Sequence, residues 1–142
     1  EEECIFCAKP RGQDDAETLI VHRGEHCFVM LNLFPYTNGH LMVSPFSHIG
    51  RYQDLPPRTL GEMHSLAQHA MDIVEGVYSP EGFNIGINQG AAAGAGVPGH
   101  IHLHLVPRWG GDTNFMPVIG DVRVMPQSLE ESYELIRGGF DE

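Results

Sequence analysis

His100-Ile101-His102-Leu103-His104 places three imidazoles at alternate positions with apolar residues between them. Alternate residues of an extended strand share a face, so the rings stand in a row at successive spacings of about 6.5 to 7 Å. The outer two are then about 13 Å apart, too far for His100 and His104 to share one ion with bonds of about 2 Å. A neutral imidazole can attack phosphorus with one nitrogen while the other donates the hydrogen bond that fixes the tautomer. This chemistry predicts a phospho-histidine intermediate. His102, flanked on both sides, is the candidate nucleophile, and His104 the candidate to orient it or shuttle a proton. Strand spacing leaves a second reading open, in which His100 and His102 bind one catalytic metal.

Immediately before the row lies Asn88-Gln89-Gly90-Ala91-Ala92-Ala93-Gly94-Ala95-Gly96-Val97-Pro98-Gly99. Gly94, Gly96 and Gly99 spell G-x-G-x-x-G, yet the dinucleotide fingerprint needs a helix directly after it, and here Pro98 leads into an alternating strand. The expectation is simpler: side chains this small leave backbone N–H groups free to turn toward phosphate oxygens. Those amides would stabilise charge on the non-bridging oxygens.

Cys4 and Cys7 have C-x-x-C spacing, a metal or redox spacing. No second C-x-x-C exists, so the remaining ligands of a zinc site would be histidines. His48 and His100 complete a Cys₂His₂ set, structural in role because four protein ligands leave no open position. Cys27, inside an apolar run, is expected in the core. His64 and His69 are read as solvated or helix-packing residues, His22 and His26 have no evident role, and Trp109 is a candidate to line a pocket. The G-x-S-x-G, H-E-x-x-H and G-x-x-x-x-G-K patterns are absent, which removes support for serine hydrolase, zincin and P-loop readings.

The elements that must position these groups follow from periodicity. Strands are expected near 18–22, 26–32 and 39–44, then one long amphipathic helix over 55–79 between Pro56-Pro57 and Ser79-Pro80. Phe83, Ile85 and Ile87 alternate with Asn84, Gly86 and Asn88 as a strand buried on one face, the histidine strand runs from Ile101 to Pro107, and an edge strand is expected at 121–125. Ser128 and Glu131 form a capping box for a terminal helix that Gly138-Gly139 stops. The fold class is α+β with a mainly antiparallel five-stranded sheet, one long helix and a C-terminal helix, a single domain over 1–142.

Eight Lys and Arg against 19 Asp and Glu give a net charge of −11 over 142 residues. Neither nucleic acid nor an anionic membrane is attracted to so acidic a body, whereas a small anion held locally is compatible with it. No apolar run reaches the roughly 18 to 20 residues of a membrane span, no basic and apolar leader is present, and the cysteine usage fits a reducing compartment. A soluble, cytoplasmic protein is expected, and Glu rather than Met at position 1 suggests a processed or trimmed chain.

His100-Ile101-His102-Leu103-His104-Leu105-Val106 resembles the signature of the histidine triad (HIT) family, H-φ-H-φ-H-φ-φ with φ apolar. The likeness extends through Cys4-Ile5-Phe6-Cys7, Leu31-Asn32-Leu33-Phe34-Pro35, Gly39-His40-Leu41-Met42-Val43 and Pro107-Arg108-Trp109-Gly110-Gly111-Asp112. It is nearest to the branch of bacterial diadenosine tetraphosphate phosphorylase-like proteins, with the fragile-histidine-triad hydrolases next. The resemblance implies a homodimer whose two sheets join side by side, and attack on an α-phosphate to give a nucleotidyl-histidine on His102, supported by His104, with His100 as the third triad member. It also implies that Asn32 contacts ribose, that His40 backs the triad, that Asn88 meets the phosphates, and that Cys4, Cys7, His48 and His100 hold zinc, with no metal needed for the chemical step. Gly94, Gly96 and Val97 line the phosphate loop; Gly96 and Val97 stand where many members carry Ser or Gln, so a backbone N–H would have to substitute. Three functions follow as alternatives: cleavage of dinucleoside polyphosphates, by water or by phosphate; purine nucleoside phosphoramidase activity; and, outside catalysis, a zinc-stabilised nucleotide-binding module without turnover.

Overall fold

The structure, a computed structural model, describes residues 4–33, 38–111 and 128–141. Two single-turn helices, α1 (Ile5–Ala8) and α2 (Asp15–Thr18), precede the sheet. Five strands follow as β1 (Ile20–Arg23), β2 (Cys27–Leu31), β3 (Leu41–Pro45), β4 (Gly82–Ile87) and β5 (Leu103–Arg108), with α3 (Pro57–Tyr78) between β3 and β4 and α4 (Leu129–Phe140) at the end. All neighbouring pairs are antiparallel, in the order β1-β2-β3-β5-β4. This is the α+β, five-stranded antiparallel architecture expected from the pattern of apolar residues.

The sheet is buried on both faces at its centre, and the two faces have different covers. Val29, Leu31, Val43, Leu103 and Leu105 point to the side packed by Met63, Ala67, Ala70 and Val74 of α3 and by Tyr133 and Ile136 of α4. These helix residues recur every three or four positions, the stripe that buries one helical face. On the opposite side Ile20, Phe28, Met30 and Met42 pack with Phe6 of α1. The histidine row belongs to this second face, because His104 sits between the inward-facing Leu103 and Leu105 and alternation turns it away from α3.

Several boundaries depart from the periodic reading. β1 begins at Ile20 rather than residue 18, since Leu19 closes α2 in a left-handed conformation, φ 68°. β5 begins at Leu103, so His100, Ile101 and His102 are not part of its ladder; they are held by the bond from the Ile101 N–H to the Ile49 carbonyl, 2.7 Å. Gly138-Gly139 does not stop α4, which continues to Phe140. The capping box at Ser128 and Glu131 is present, and the N- and C-terminal limits of α3 fall where prolines allow them. Cys27 is completely buried, and burial followed by the charge of Glu62 pushes its thiol up to about 12, an inert core residue. The expected strand at 121–125 lies outside the described residues. No helix among the described residues is long and apolar enough to cross a membrane.

Candidate active site

The sheet's second face carries an open pocket of about 630 Å³ at its β4–β5 end. His104 forms its floor. Its register partners are Met42 on β3 and Gly86 on β4, and because Gly86 has no side chain the space beside the imidazole stays open. Asn32, His40, Asn84, Asn88 and His102 also reach the pocket, Gly94, Gly96 and Val97 border it from the glycine loop, and Ile5 and Phe6 border it from α1. Among the described residues none of its lining side chains is a carboxylate. An anion can therefore enter this strongly acidic molecule without meeting a like charge at the point of binding.

His102 is 7% exposed, and its orientation is fixed by its own backbone neighbourhood. Its Nδ1–H donates to the His100 carbonyl at 3.0 Å, which leaves Nε2 with the lone pair. Among the described residues Nε2 has no hydrogen-bond partner, and the residue lines the pocket. Burial lowers the pKa of His102 below the usual value, a shift only partly offset by the bond to His100, so the ring is neutral at pH 7. The rings of His102 and His104 lie 4.9 Å apart, edge to face, closer than the strand repeat alone suggested.

Behind His104 stands His40, 1% exposed, with its Nε2 3.0 Å from His104 Nδ1. Burial pushes both rings down to about 4, helped by His104 in the case of His40 and by His102 in the case of His104, so one neutral ring donates and the other accepts. The Asn32 amide lies 3.4 Å from His40 Nε2 and faces the same pocket.

The glycine loop is more structured than a string of small residues implies. Gly94 has φ +94°, and its N–H is engaged with the Ala91 carbonyl at 3.0 Å, so this amide is not available to an anion as the sequence suggested. The N–H groups of Gly96 and Val97 make no hydrogen bond among the described residues, and both residues border the pocket.

His100 lies away from the pocket. It is completely buried; its Nε2–H donates to the Pro45 carbonyl at 2.8 Å, and its Nδ1 faces the Cys4 and Cys7 sulfurs, 3.4 Å from each. His48 Nδ1 is 3.3 Å from Cys7 Sγ and 3.2 Å from His100 Nδ1. A tetrahedral ion with bonds of about 2.3 Å to sulfur and 2.0 to 2.1 Å to nitrogen requires ligand separations of roughly 3.3 to 3.8 Å. The four separations named are close to that range and all four ligand atoms lie within 4.8 Å of one another, so the donor set fits zinc. The Pro45 contact places the His100 proton on the other nitrogen, the outer-sphere arrangement that metal-binding imidazoles use. Close approach brings His48 here: a Cβ at Gly50 would stand 2.8 Å from the Pro98 carbonyl oxygen, so only glycine lets residues 48–50 lie against 98–99. Among the described residues the cluster that could hold an ion includes His100 and not His102, and the His102 Nδ1 is turned to the His100 carbonyl, so the alternative of both on one catalytic metal is not what the geometry forms.

The contribution of Phe6, Ile5, Asn84, Ile85 and Gly86 was not foreseen. Asn84 and Gly86 could have been found by extending the alternation of β4 across to the face that carries His104. Phe6 had one signal, an apolar residue between two candidate ligands. His64 pairs with Tyr52, and His22 and His69 bracket Phe140, so these histidines lie outside the pocket, as does Trp109.

The HIT domain family model matches residues 13–111. The chain is 42% identical over 122 residues to AP-4-A phosphorylase of Mycobacterium tuberculosis, covering 86% of this chain and 63% of that relative, so it spans less than two thirds of the relative's length. It is 34% identical over 89 residues to the asymmetrical bis(5'-nucleosyl)-tetraphosphatase of Schizosaccharomyces pombe, covering 63% of this chain and 48% of that one. Among solved structures, a Zn-bound histidine triad family protein from Mycobacterium smegmatis superposes with a TM-score of 0.77 at 33% identity, covering 98% of this chain and 94% of the other.

Proposed function

This chain belongs to the HIT domain family, and on that premise we propose that it cleaves dinucleoside polyphosphates, diadenosine tetraphosphate being the type substrate, through a nucleotidyl group carried on His102. The observation that carries the reading is the orientation of His102: Nδ1–H is tied to the His100 carbonyl, Nε2 has no hydrogen-bond partner among the described residues, and the residue lines a pocket to which no described carboxylate contributes. Nε2 attacks the α-phosphorus, an N–P bond forms, and the bridging P–O bond breaks as the remaining polyphosphate leaves with the electron pair. The positive charge on the substituted imidazole is stabilised through Nδ1–H on the His100 carbonyl. Water or phosphate then attacks phosphorus, the N–P bond breaks, and His102 is regenerated.

Supporting roles follow from placement. Gly96 and Val97 offer amides to the non-bridging oxygens, which removes the need for a Ser or Gln side chain there. Asn88 meets the phosphates, Asn32 the ribose, and Ile5 and Ile85, 44% and 51% exposed at the pocket rim, give the base apolar surface. Cys4, Cys7, His48 and His100 would hold a zinc ion whose role is to fasten α1 and residues 48–50 to the end of the histidine row; a closed set of four ligands has no position for substrate. β4 is an edge strand with Ile85 exposed, and we assign to it the side-by-side joining of two copies, to be checked by sedimentation. Free thiols at Cys4, Cys7 and Cys27 suit a reducing compartment.

Incubation with diadenosine tetraphosphate, with and without phosphate, tests the function. AMP plus ATP identifies hydrolysis, and ADP plus ATP identifies phosphorolysis. His102→Ala should abolish turnover while nucleotide binding remains measurable, and mass spectrometry should find the nucleotide adduct on the peptide carrying residues 100–108. A fluorescent amine released from an adenosine phosphoramidate faster than the dinucleotide is cleaved would replace this substrate class with the phosphoramidase one. Full turnover by His102→Ala would remove the nucleophile assignment.

A further inference from the structure

We propose that Phe6 is a positioning residue for His102, and that the thiols on either side of it in the chain hold it in place. The inference rests on the reading of His102 as nucleophile. Phe6 is 2% exposed and stacks on the His102 imidazole with ring centroids 4.4 Å apart and planes 23° from parallel. It also lies 5.5 Å from the His100 ring. The hydrogen bond from Nδ1 selects which edge of His102 faces the backbone, but a single bond leaves the plane of the ring able to tilt. A flat aromatic surface at stacking distance removes that tilt. Aim matters here because attack requires Nε2 and phosphorus about 3 to 3.5 Å apart and in line.

What holds Phe6 is not its own helix. α1 has four residues, far short of the roughly 12 to 15 that an isolated helix needs to be even marginally stable. It is fastened instead at both ends, by Cys4 Sγ 3.4 Å from His100 Nδ1 and by Cys7 Sγ 3.3 Å from His48 Nδ1. Cys4 and Cys7 lie on one turn because the N–H groups of Cys7 and Ala8 return to the Cys4 carbonyl at 3.1 and 2.9 Å. The aromatic ring between them is thereby carried onto His102. The same four-residue cluster fixes His100, whose carbonyl receives the His102 proton. His102 is thus supported at its edge and on its face by groups that share one set of metal ligands. A plain core role for Phe6, which also packs with Ile20, Phe28, Met30 and Met42, would fill volume without this consequence.

The test uses the zinc-loaded full chain with ¹³C,¹⁵N-histidine labelling. Phe6→Leu keeps apolar bulk and removes the aromatic face, and Phe6→Met does the same with an unbranched chain should Leu lower metal content. Both should lower kcat by about 10- to 100-fold with KM within about threefold. The carbon-bound ring protons of His102 should move downfield as the overlying ring current is lost. Chelating zinc from the unsubstituted protein should move the same resonances in the same direction and lower kcat by a comparable factor. Chelating it from Phe6→Leu should cost clearly less than it costs the unsubstituted protein, because the part of the penalty that runs through the Phe6 face is already lost and only the part that runs through His100 remains. Unchanged kcat or unshifted His102 resonances in folded, zinc-loaded Phe6 variants would overturn the proposal, as would a chelation penalty of equal size with and without the Phe6 ring. Failure of the nucleophile reading looks different: His102→Ala would retain turnover whatever stands at position 6, and the resonance shifts would still report whether the stack exists.

Discussion

At the scale of single residues, the buried pair His40 and His104 sets the acid limit of the site. Both rings titrate at about 4 in the folded chain, with burial the larger cause in each, against a value near 6.5 when unfolded. Between those pH values the unfolded chain binds protons that the native pair does not accept. The pair's contribution to stability is therefore fully present above about pH 6.5 and is lost as pH falls toward about 4. Melting temperatures measured from pH 8 down to pH 4 should decline along this window. His40→Gln, which keeps a donor and an acceptor but does not titrate, should flatten the decline; an unchanged slope would mean the pair is not its source. The histidine row itself was legible because alternation of apolar and imidazole side chains reports a shared face directly. Gly94 was less so. Small residues show that amides can be exposed, but only the folded turn shows that the Gly94 amide is already engaged with the Ala91 carbonyl while those of Gly96 and Val97 have no partner among the described residues. Phe6 required knowledge of which ring a four-residue helix would bring it against, and local sequence carries no such long-range term.

At the scale of elements, the long helix and the strands at the sheet's centre were readable because burial imposes a period on them: one apolar stripe on α3, and unbroken apolar residues on β2, which is covered on both faces. The ends were harder, since they depend on contacts rather than on pattern. Gly138-Gly139 illustrates this. A glycine pair after an amphipathic stretch ordinarily marks a helix terminus, yet α4 runs through it to Phe140. The reason is close packing, because a Cβ at Gly139 would stand 2.5 Å from Ile73 Cγ2 on α3, whereas nothing lies within 4 Å of one at Gly138. The two glycines should respond oppositely to the same substitution. Gly138→Ala removes only the entropic cost of glycine in a helix and should stabilise by about 0.5 to 1 kcal/mol. Gly139→Ala must push α4 from α3 or move Ile73 and should destabilise by about 1 to 3 kcal/mol. Urea denaturation of the two variants reads the difference, and equal signs would show that α4 does not pack on α3 through Gly139. The single-turn helices α1 and α2 were invisible to periodicity, since four residues do not complete two repeats.

For the whole molecule, the cluster of Cys4, Cys7, His48 and His100 joins parts of the chain that are distant in sequence: Cys4 meets His100 across 96 positions, and Cys7 meets His48 across 41. C-x-x-C spacing marked half of the set, and the positions of His48 after a strand and His100 at the head of the histidine row suggested the other half; what the sequence lacked was the distance, and the fold supplies it by bringing the four ligand atoms within 4.8 Å of one another. Closing such long loops with a ligand that the unfolded chain cannot hold in this geometry links metal binding to stability. At a free zinc concentration about 1,000 times the dissociation constant, the native state gains about 4 kcal/mol. For a domain of this size each kcal/mol moves the melting temperature by roughly 2 to 8 °C, so chelation should lower it by roughly 10 °C or more. Cobalt in place of zinc should give the intense visible absorption of tetrahedral thiolate ligation, and His48→Ala should weaken cobalt binding while keeping the absorption that comes from Cys4 and Cys7. If chelation leaves the melting temperature where it was, the four side chains converge without a metal, and the fastening of α1 to the histidine row must come from burial of Phe6 alone.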